Sequence, residues 1–352
     1  METSPASSKT QSISNGVVFS FTDSGAPPNS TDYTTVLLLH GAGFNGYIFN
    51  KLHSYAHSFN LRTIALNRRD YAGSTPLTSA ELVAMSSGQK SFLDDLRAEL
   101  VEFLKEFIEK ERIPPIALDK NSGGLAIVGW SLGAQIVLSL ISDAEDAFVE
   151  QYLKSIILFD PPYTTFGYTL PLDTTNYVPW LDPANDTLDA MLQSYVTWTC
   201  SYFDHGRLTS DAKSRPSIHD LDKRNKGEKV TVLTEDDLEK CMELRPLMRE
   251  AAMTSPPMQS GFSHLAQQIL FPETPSARAA TKVPITYLGT SQTIWISAWA
   301  EIETKRRYAE YRNKMKDSGK VIRFVRMDGE NHFVHWDQPK AFLETLVNIV
   351  CT

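Results

Sequence analysis

The stretch Leu125-Ala126-Ile127-Val128-Gly129-Trp130-Ser131-Leu132-Gly133-Ala134 constrains this chain more than any other. Leu125–Val128 reads as a buried strand, Ala134–Leu140 reads as the start of a helix, and G-x-S-x-G stands between them. A serine at the tip of a strained strand-to-helix turn projects its hydroxyl above a sheet, and flanking glycines let neighbouring backbone come close. The amide of the next residue, Leu132, opens the helix and can donate to a developing oxyanion. The same pattern also arises by chance as a plain tight turn, so Ser131 needs a base elsewhere in the chain.

That base is sought in Met327-Asp328-Gly329-Glu330-Asn331-His332-Phe333-Val334-His335-Trp336-Asp337-Gln338-Pro339, which follows a strand pattern and precedes the last helix. A general base for serine has to arrive on a loop at the same sheet edge. His332 fits, with His335 as its competitor; His335 is expected to pack behind it.

Around these two stretches, apolar β-branched runs alternate with helical patterns. Strands are expected at Val17–Phe21, Thr35–Leu39, Leu61–Leu66, Leu125–Val128, Ser155–Phe159, Pro284–Leu288 and Val321–Val325. Residues 88–113 carry Phe92, Leu96, Leu100, Phe103, Leu104 and Phe107 at helical spacing. A short helix is expected around Tyr47–Ser58, a charged one near 295–317 and a last one at Pro339–Val350. This alternation predicts an α/β fold with a mostly parallel sheet covered on both faces. From about Pro161 to Lys282 the pattern breaks into prolines, aromatics, two helices (near 187–202 and 234–253) and one modest strand, Lys229–Leu233. The expected organisation is a flexible N-terminus at 1–16, a core made of 17–160 and 283–352, and a mainly helical cap inserted at 161–282.

Composition narrows the classes. The net charge of −8 disfavours a nucleic-acid or anionic-membrane partner. Three scattered cysteines are too few for a disulfide framework or a four-ligand zinc site, which fits a reducing compartment. The polar N-terminus has no apolar signal region, no segment approaches the roughly 18 apolar residues of a membrane span, and the C-terminal residues match no lipidation or peroxisomal signal. The expectation is a cytoplasmic protein with no cofactor, no metal and no membrane span; a homodimer is left open.

The motifs and the element order resemble the α/β-hydrolase superfamily, specifically the lid-bearing branch of epoxide hydrolases, haloalkane dehalogenases, small esterases and lactonases. Leu39-His40-Gly41, Gly129–Gly133 and Gly329–Pro339 carry the resemblance, in order, over nearly all of residues 17–350. It implies that the loop after His40-Gly41 supplies the second oxyanion amide, from Ala42, with Gly43 and Phe44 as close alternatives. Read literally, Gly41-Ala42-Gly43-Phe44-Asn45-Gly46 is also G-x-G-x-x-G, and Asn67-Arg68-Arg69 could imitate an NADP 2′-phosphate site. No acidic ribose ligand ends the following strand, a strand already precedes the supposed first one, and Ser131 and His332 would go unexplained.

The resemblance also predicts an acid three residues beyond the glycine after the post-cap strand. That position, Gln292 in Gly289-Thr290-Ser291-Gln292, holds an amide. Asp160, at the end of the strand after the nucleophile helix, is the expected replacement, because some haloalkane dehalogenases and lactonases place their acid there. The rival readings are an Asp-Pro turn at the hinge and a dyad with Gln292 as a neutral orienter. Trp130, Gly43 and Phe44 are expected to wall the substrate pocket, and the cap aromatics point to a hydrophobic, ring-containing substrate. His53 and His57 could share a helix face for a metal, but no third ligand is evident. The expected activity is a serine esterase or lactonase. The alternatives are a lyase, cyclase or carbon–carbon-cleaving enzyme of the same fold, and a ligand receptor.

Overall fold

The computed structural model describes residues 7–141, 151–206, 208, 216–224, 229–280, 282–316 and 319–351. Eight strands form one sheet: β1 (Lys9–Ser12), β2 (Val18–Asp23), β3 (Thr34–Leu39), β4 (Leu61–Asn67), β5 (Leu125–Trp130), β6 (Leu153–Phe159), β7 (Ile285–Thr290) and β8 (Ile322–Met327). Their spatial order is β1-β2-β4-β3-β5-β6-β7-β8. The two leading strands pair antiparallel, and every pairing from β4 to β8 is parallel.

The inner parallel strands are buried and largely apolar because both faces are covered, whereas the edge strand β8 carries Arg323 and Arg326 and buries only Ile322. Alternation along each strand sorts its side chains into two layers. Leu37, Leu39, Ile64, Leu66 and Ile127 face one layer with Phe103 and Phe107, whereas Val36, Leu38, Ala65, Ala126 and Val128 face the other with Leu52 and Phe342. The helices that supply these faces are α1 (Asn50–Ala56), α2 (Ser79–Ser86), α3 (Lys90–Glu111) and α4 (Gly133–Leu140) in the first half of the chain. Between β6 and β7 come α5 (Leu188–Thr199), α6 (Glu235–Cys241), α7 (Leu244–Glu250), α8 (Pro256–Leu270) and α9 (Pro275–Ala280). The chain closes with α10 (Trp295–Lys314), α11 (Val334–Asp337) and α12 (Pro339–Val350).

Four sequence expectations change. Lys9–Ser12, placed in a flexible tail, is an edge strand paired with Val18–Phe21; residues 1–6 of that tail lie outside the described residues. An edge strand pairs through its backbone, and only Gln11 of β1 is buried, so no apolar run marks it. Lys229–Leu233 is no strand, only a single bridge between Val230 and Ser201. The helix expected near 234–253 breaks at Met242 and Glu243, whose backbone is extended (φ −91° and −132°), because Met242 pairs with Phe44 of the core. The 15-residue helix α8 has no counterpart among the expected elements, since its stretch is rich in proline. Those prolines, Pro256 and Pro257, stand in the first turn, where a missing N–H costs nothing.

Phe103 is fully buried, with its ring 5.4–5.7 Å from those of Phe19, Phe21 and Phe107. Phe103→Ala is expected to destabilise the fold by about 3–5 kcal/mol, read as a lower urea midpoint.

Candidate active site

Ser131 lies between β5 and α4 with φ +54°, a left-handed conformation that a non-glycine residue adopts only under local constraint. Its amide donates to the Phe159 carbonyl at 2.9 Å, and its carbonyl accepts from the Ala134 amide at 3.0 Å. Three glycines make the turn sterically possible. A Cβ on Gly129 would lie 2.6 Å from the Ala134 Cα, one on Gly133 would lie 2.7 Å from the His40 carbonyl oxygen, and one on Gly41 would lie 2.9 Å from the Ser131 Cβ. The loop after β3 is thus pressed against the serine. Ser131 and Ala42 are both half-buried, while Gly41, Gly43, Trp130 and Leu132 around them are buried.

His332 sits on the loop after β8 and is buried. Its Nδ1 lies 2.6 Å from Asp160 Oδ2, so Nδ1 carries the proton that faces the carboxylate and Nε2 is left as the basic nitrogen. The Trp130 indole N–H donates to the His332 carbonyl at 3.0 Å, and the two rings stand 5.0 Å apart. The residue preceding the serine therefore fastens the histidine loop. Trp130 is almost wholly buried, surrounded by Phe44, Phe49, Phe333 and His335.

Asp160 directly follows β6 with φ +48° and is buried. Its Oδ1 accepts from the Thr290 amide at 3.1 Å, and its Oδ2 accepts from the Thr290 hydroxyl at 3.2 Å and from the Thr293 hydroxyl. The Thr293 hydroxyl also lies 3.4 Å from His332 Nδ1. These donors hold the charge and orient the carboxylate. Gln292 is only half-buried; its backbone bonds Glu330 and Phe203, and the group facing His332 Nδ1 is the Asp160 carboxylate. Thr290 and Thr293 carry no signature in the sequence, because nothing marks a hydroxyl that serves a distant strand end.

The loop after His40 is tightly held. The Gly43 amide donates to the Tyr71 hydroxyl at 2.8 Å, which leaves Ala42 as its neighbour toward Ser131. Phe44 is buried against Trp130 and Phe333 and bridges to Met242. Leu132 caps α4 at its N-terminal end. His335 is fully buried among Phe49, Trp130 and Phe159, and burial drives its imidazole well below its usual pKa. The arginines that imitated a phosphate site are neutralised inside the protein. Arg68 pairs with Glu250 and Arg69 with Glu99, the latter at 2.7 and 2.8 Å. His57 is exposed and lies against the Gly25 carbonyl. Among the described residues no group of three His, Cys, Asp or Glu side chains is placed to hold a metal, and no helix is long and apolar enough to cross a membrane.

The Alpha/beta hydrolase family model matches residues 36–345, and the chain belongs to that family. Compared by sequence with curated proteins, it matches none. Its fold is similar to a laboratory-evolved variant of potato epoxide hydrolase (15% identity, 99% of each chain covered, TM-score 0.57). It is also similar to an esterase from Exiguobacterium antarcticum (14% identity, 98% and 99% covered, TM-score 0.53). A bromoperoxidase from Bacillus anthracis shares the fold as well (15% identity, 98% and 100% covered, TM-score 0.51).

His53 supplies a pH test of the scaffold under the site. Its ring nitrogens lie 2.7 and 2.9 Å from the Thr63 and Thr22 hydroxyls, and burial pushes its pKa from 6.5 down to about 4. Between those values the unfolded chain binds the proton and the folded one does not, so stability falls as pH drops from about 6.5 to about 4. His53→Gln is expected to shrink that acid-side loss, read as urea midpoints across the same range.

Proposed function

We propose that the chain is a cofactor-independent serine hydrolase that cleaves an ester or lactone of a small hydrophobic molecule through an acyl-enzyme. The 2.6 Å contact between His332 Nδ1 and a buried, donor-clamped Asp160 carries the reading. It presents a histidine whose Nε2 is left as the basic nitrogen, on the loop fastened to Trp130, the residue before a strained, half-buried serine.

In this mechanism the Ser131 oxygen attacks the carbonyl carbon as His332 Nε2 takes its proton. Asp160 stabilises the resulting imidazolium and keeps the ring in one tautomer. The Ala42 and Leu132 amides donate to the oxygen that becomes negative. The imidazolium then returns its proton to the leaving oxygen. Water, deprotonated by the same nitrogen, releases the acid and restores the serine. A hydroxyl nucleophile suits acyl transfer; the carboxylate with which epoxide hydrolases and dehalogenases of this superfamily open their substrates is absent from position 131. Segment 161–282, which carries α5 to α9, acts as the cap, and its aromatic content favours an apolar, ring-bearing substrate. The buried thiols Cys200 and Cys241, both unpaired, suit a reducing cytoplasm.

Incubation with a fluorophosphonate is expected to phosphonylate Ser131 with loss of fluoride, located by peptide mass spectrometry and abolished in Ser131→Ala. Retained activity of Ser131→Ala on the true substrate would sink the mechanism. Asp160→Asn is expected to lower kcat about 10,000-fold with the serine still present, because the amide favours the wrong imidazole tautomer. In heavy-oxygen water the acid product is expected to carry the label. A product formed without label points instead to lyase, cyclase or carbon–carbon chemistry at the same residues.

A further inference from the structure

Four successive carbonyls of the loop after β3 are each held by a donor. The His40 oxygen accepts from Arg68 Nε at 3.0 Å, and the Gly41 oxygen accepts from Arg68 Nη2 at 2.9 Å. The Ala42 oxygen accepts from the Tyr195 hydroxyl at 2.9 Å, and the Gly43 oxygen accepts from the Glu243 amide at 2.8 Å. His40 adds a second hold on the Gly41 oxygen. Its Nε2 accepts from the Arg68 amide at 3.1 Å, so its proton resides on Nδ1, which donates to that oxygen at 3.0 Å.

This arrangement aims one amide. A trans peptide points its C=O and the following N–H in opposite directions. With the Gly41 oxygen turned to the guanidinium, the Ala42 N–H is turned away from it, and Gly41 itself abuts Ser131. The next peptide is spanned from both sides, its oxygen by Tyr195 and its N–H by Tyr71.

The anchor of this system comes from the inserted segment. Arg68 is buried, and its charge is met by Glu250 at the end of α7. The Tyr71 hydroxyl donates to Glu250 Oε2 at 2.6 Å and accepts from the Gly43 amide at 2.8 Å and Arg68 Nη2 at 3.3 Å, which uses its one proton and both lone pairs. Glu250 thus fixes both the guanidinium and the phenol. Leu247 of the same helix packs over Gly43, and Asn45 Nδ2 donates to the Lys240 carbonyl at 2.9 Å and to Glu243 at 2.8 Å.

We infer that Arg68, Tyr71 and the insertion's Glu250 are positioning residues that aim the Ala42 amide at the reacting carbonyl oxygen, so that the seated insertion completes the oxyanion site. This rests on the serine-hydrolase reading. It assigns work to residues outside the Ser131–His332–Asp160 set, and it makes segment 240–250 part of the catalytic geometry as well as a cover.

The test uses the full chain with a chromogenic aryl ester, a fluorophosphonate and an aryl trifluoromethyl ketone, which adds to a serine to give a tetrahedral oxyanion. Removing one oxyanion donor costs about 100- to 1,000-fold in kcat, and misaiming it is expected to cost roughly 10- to 100-fold. Glu250→Gln and Tyr71→Phe are therefore expected to lose that much kcat with KM changed less than about twofold, while the ketone's inhibition constant rises in step with the loss in kcat/KM. Packing damage alone would not make ketone binding follow the rate. Tyr195→Phe removes a hydroxyl from a half-buried ring and is expected to lose several-fold in kcat by the same pattern, which keeps the test alive if the buried variants do not fold. Unchanged kcat in the folded variants, or a loss confined to KM, overturns the inference while wild-type labelling leaves the serine mechanism standing. Absence of wild-type labelling overturns the serine mechanism itself.

Discussion

Ser131 keeps its left-handed backbone only because the chain can come closer to it than any side chain would allow. The carbonyl of His40 presses on Gly133, the start of α4 presses on Gly129, and Gly41 presses on the Ser131 Cβ. A methyl group at any of these three places would push apart β3, β5 and α4, the central elements of the sheet. The strain at the serine, of order 1–3 kcal/mol, is carried by the many buried contacts of the two apolar layers. In return, the serine stands just past the end of β5, against the loop that follows β3.

The parallel order of β5, β6, β7 and β8 does the rest of the gathering. All four strands end at the same edge, so Asp160 just past β6, Thr290 at the end of β7 and His332 on the loop beyond β8 meet there, at the edge where Ser131 follows β5. The register is direct: Trp130 stands beside Phe159, and Thr290 beside Met327. Asp160 can therefore take a bond from Thr290 on the next strand and offer its other oxygen to the loop beyond β8. The carboxylate lies one strand earlier than the position Gln292 would have given it, and Thr293 bridges the difference with its hydroxyl.

Most of this scaffold can be read from residues alone because it is written in local terms. The strands show as apolar runs, α3 shows as a helical stripe, and G-x-S-x-G names its own turn. The pairing of His332 with Asp160 is legible as well, since both residues end or follow strands. The features that stay hidden share one cause: their partners are distant in sequence and chemically ordinary. β1 pairs through its backbone, with only Gln11 buried. Glu250 is one glutamate among many until Arg68 is found buried opposite it. The break at Met242 interrupts a good helical pattern for the sake of a bridge to Phe44, nearly two hundred residues away. Apolar periodicity cannot register such contacts, because they are decided by where the sheet puts its loops.

The position of Asp160 has a mechanical consequence. The carboxylate that steadies His332 is followed at once by Pro161 and Pro162, where the chain leaves the sheet for the inserted helices, and its own carbonyl is tied to Ser297 at 2.9 Å. A rotation of the whole insertion about that exit would drag the acid out of register with the imidazole. Any movement of the inserted helices that spares the contact with His332 must leave that root still: a door whose hinge is also the lock's striker plate cannot swing from the hinge side.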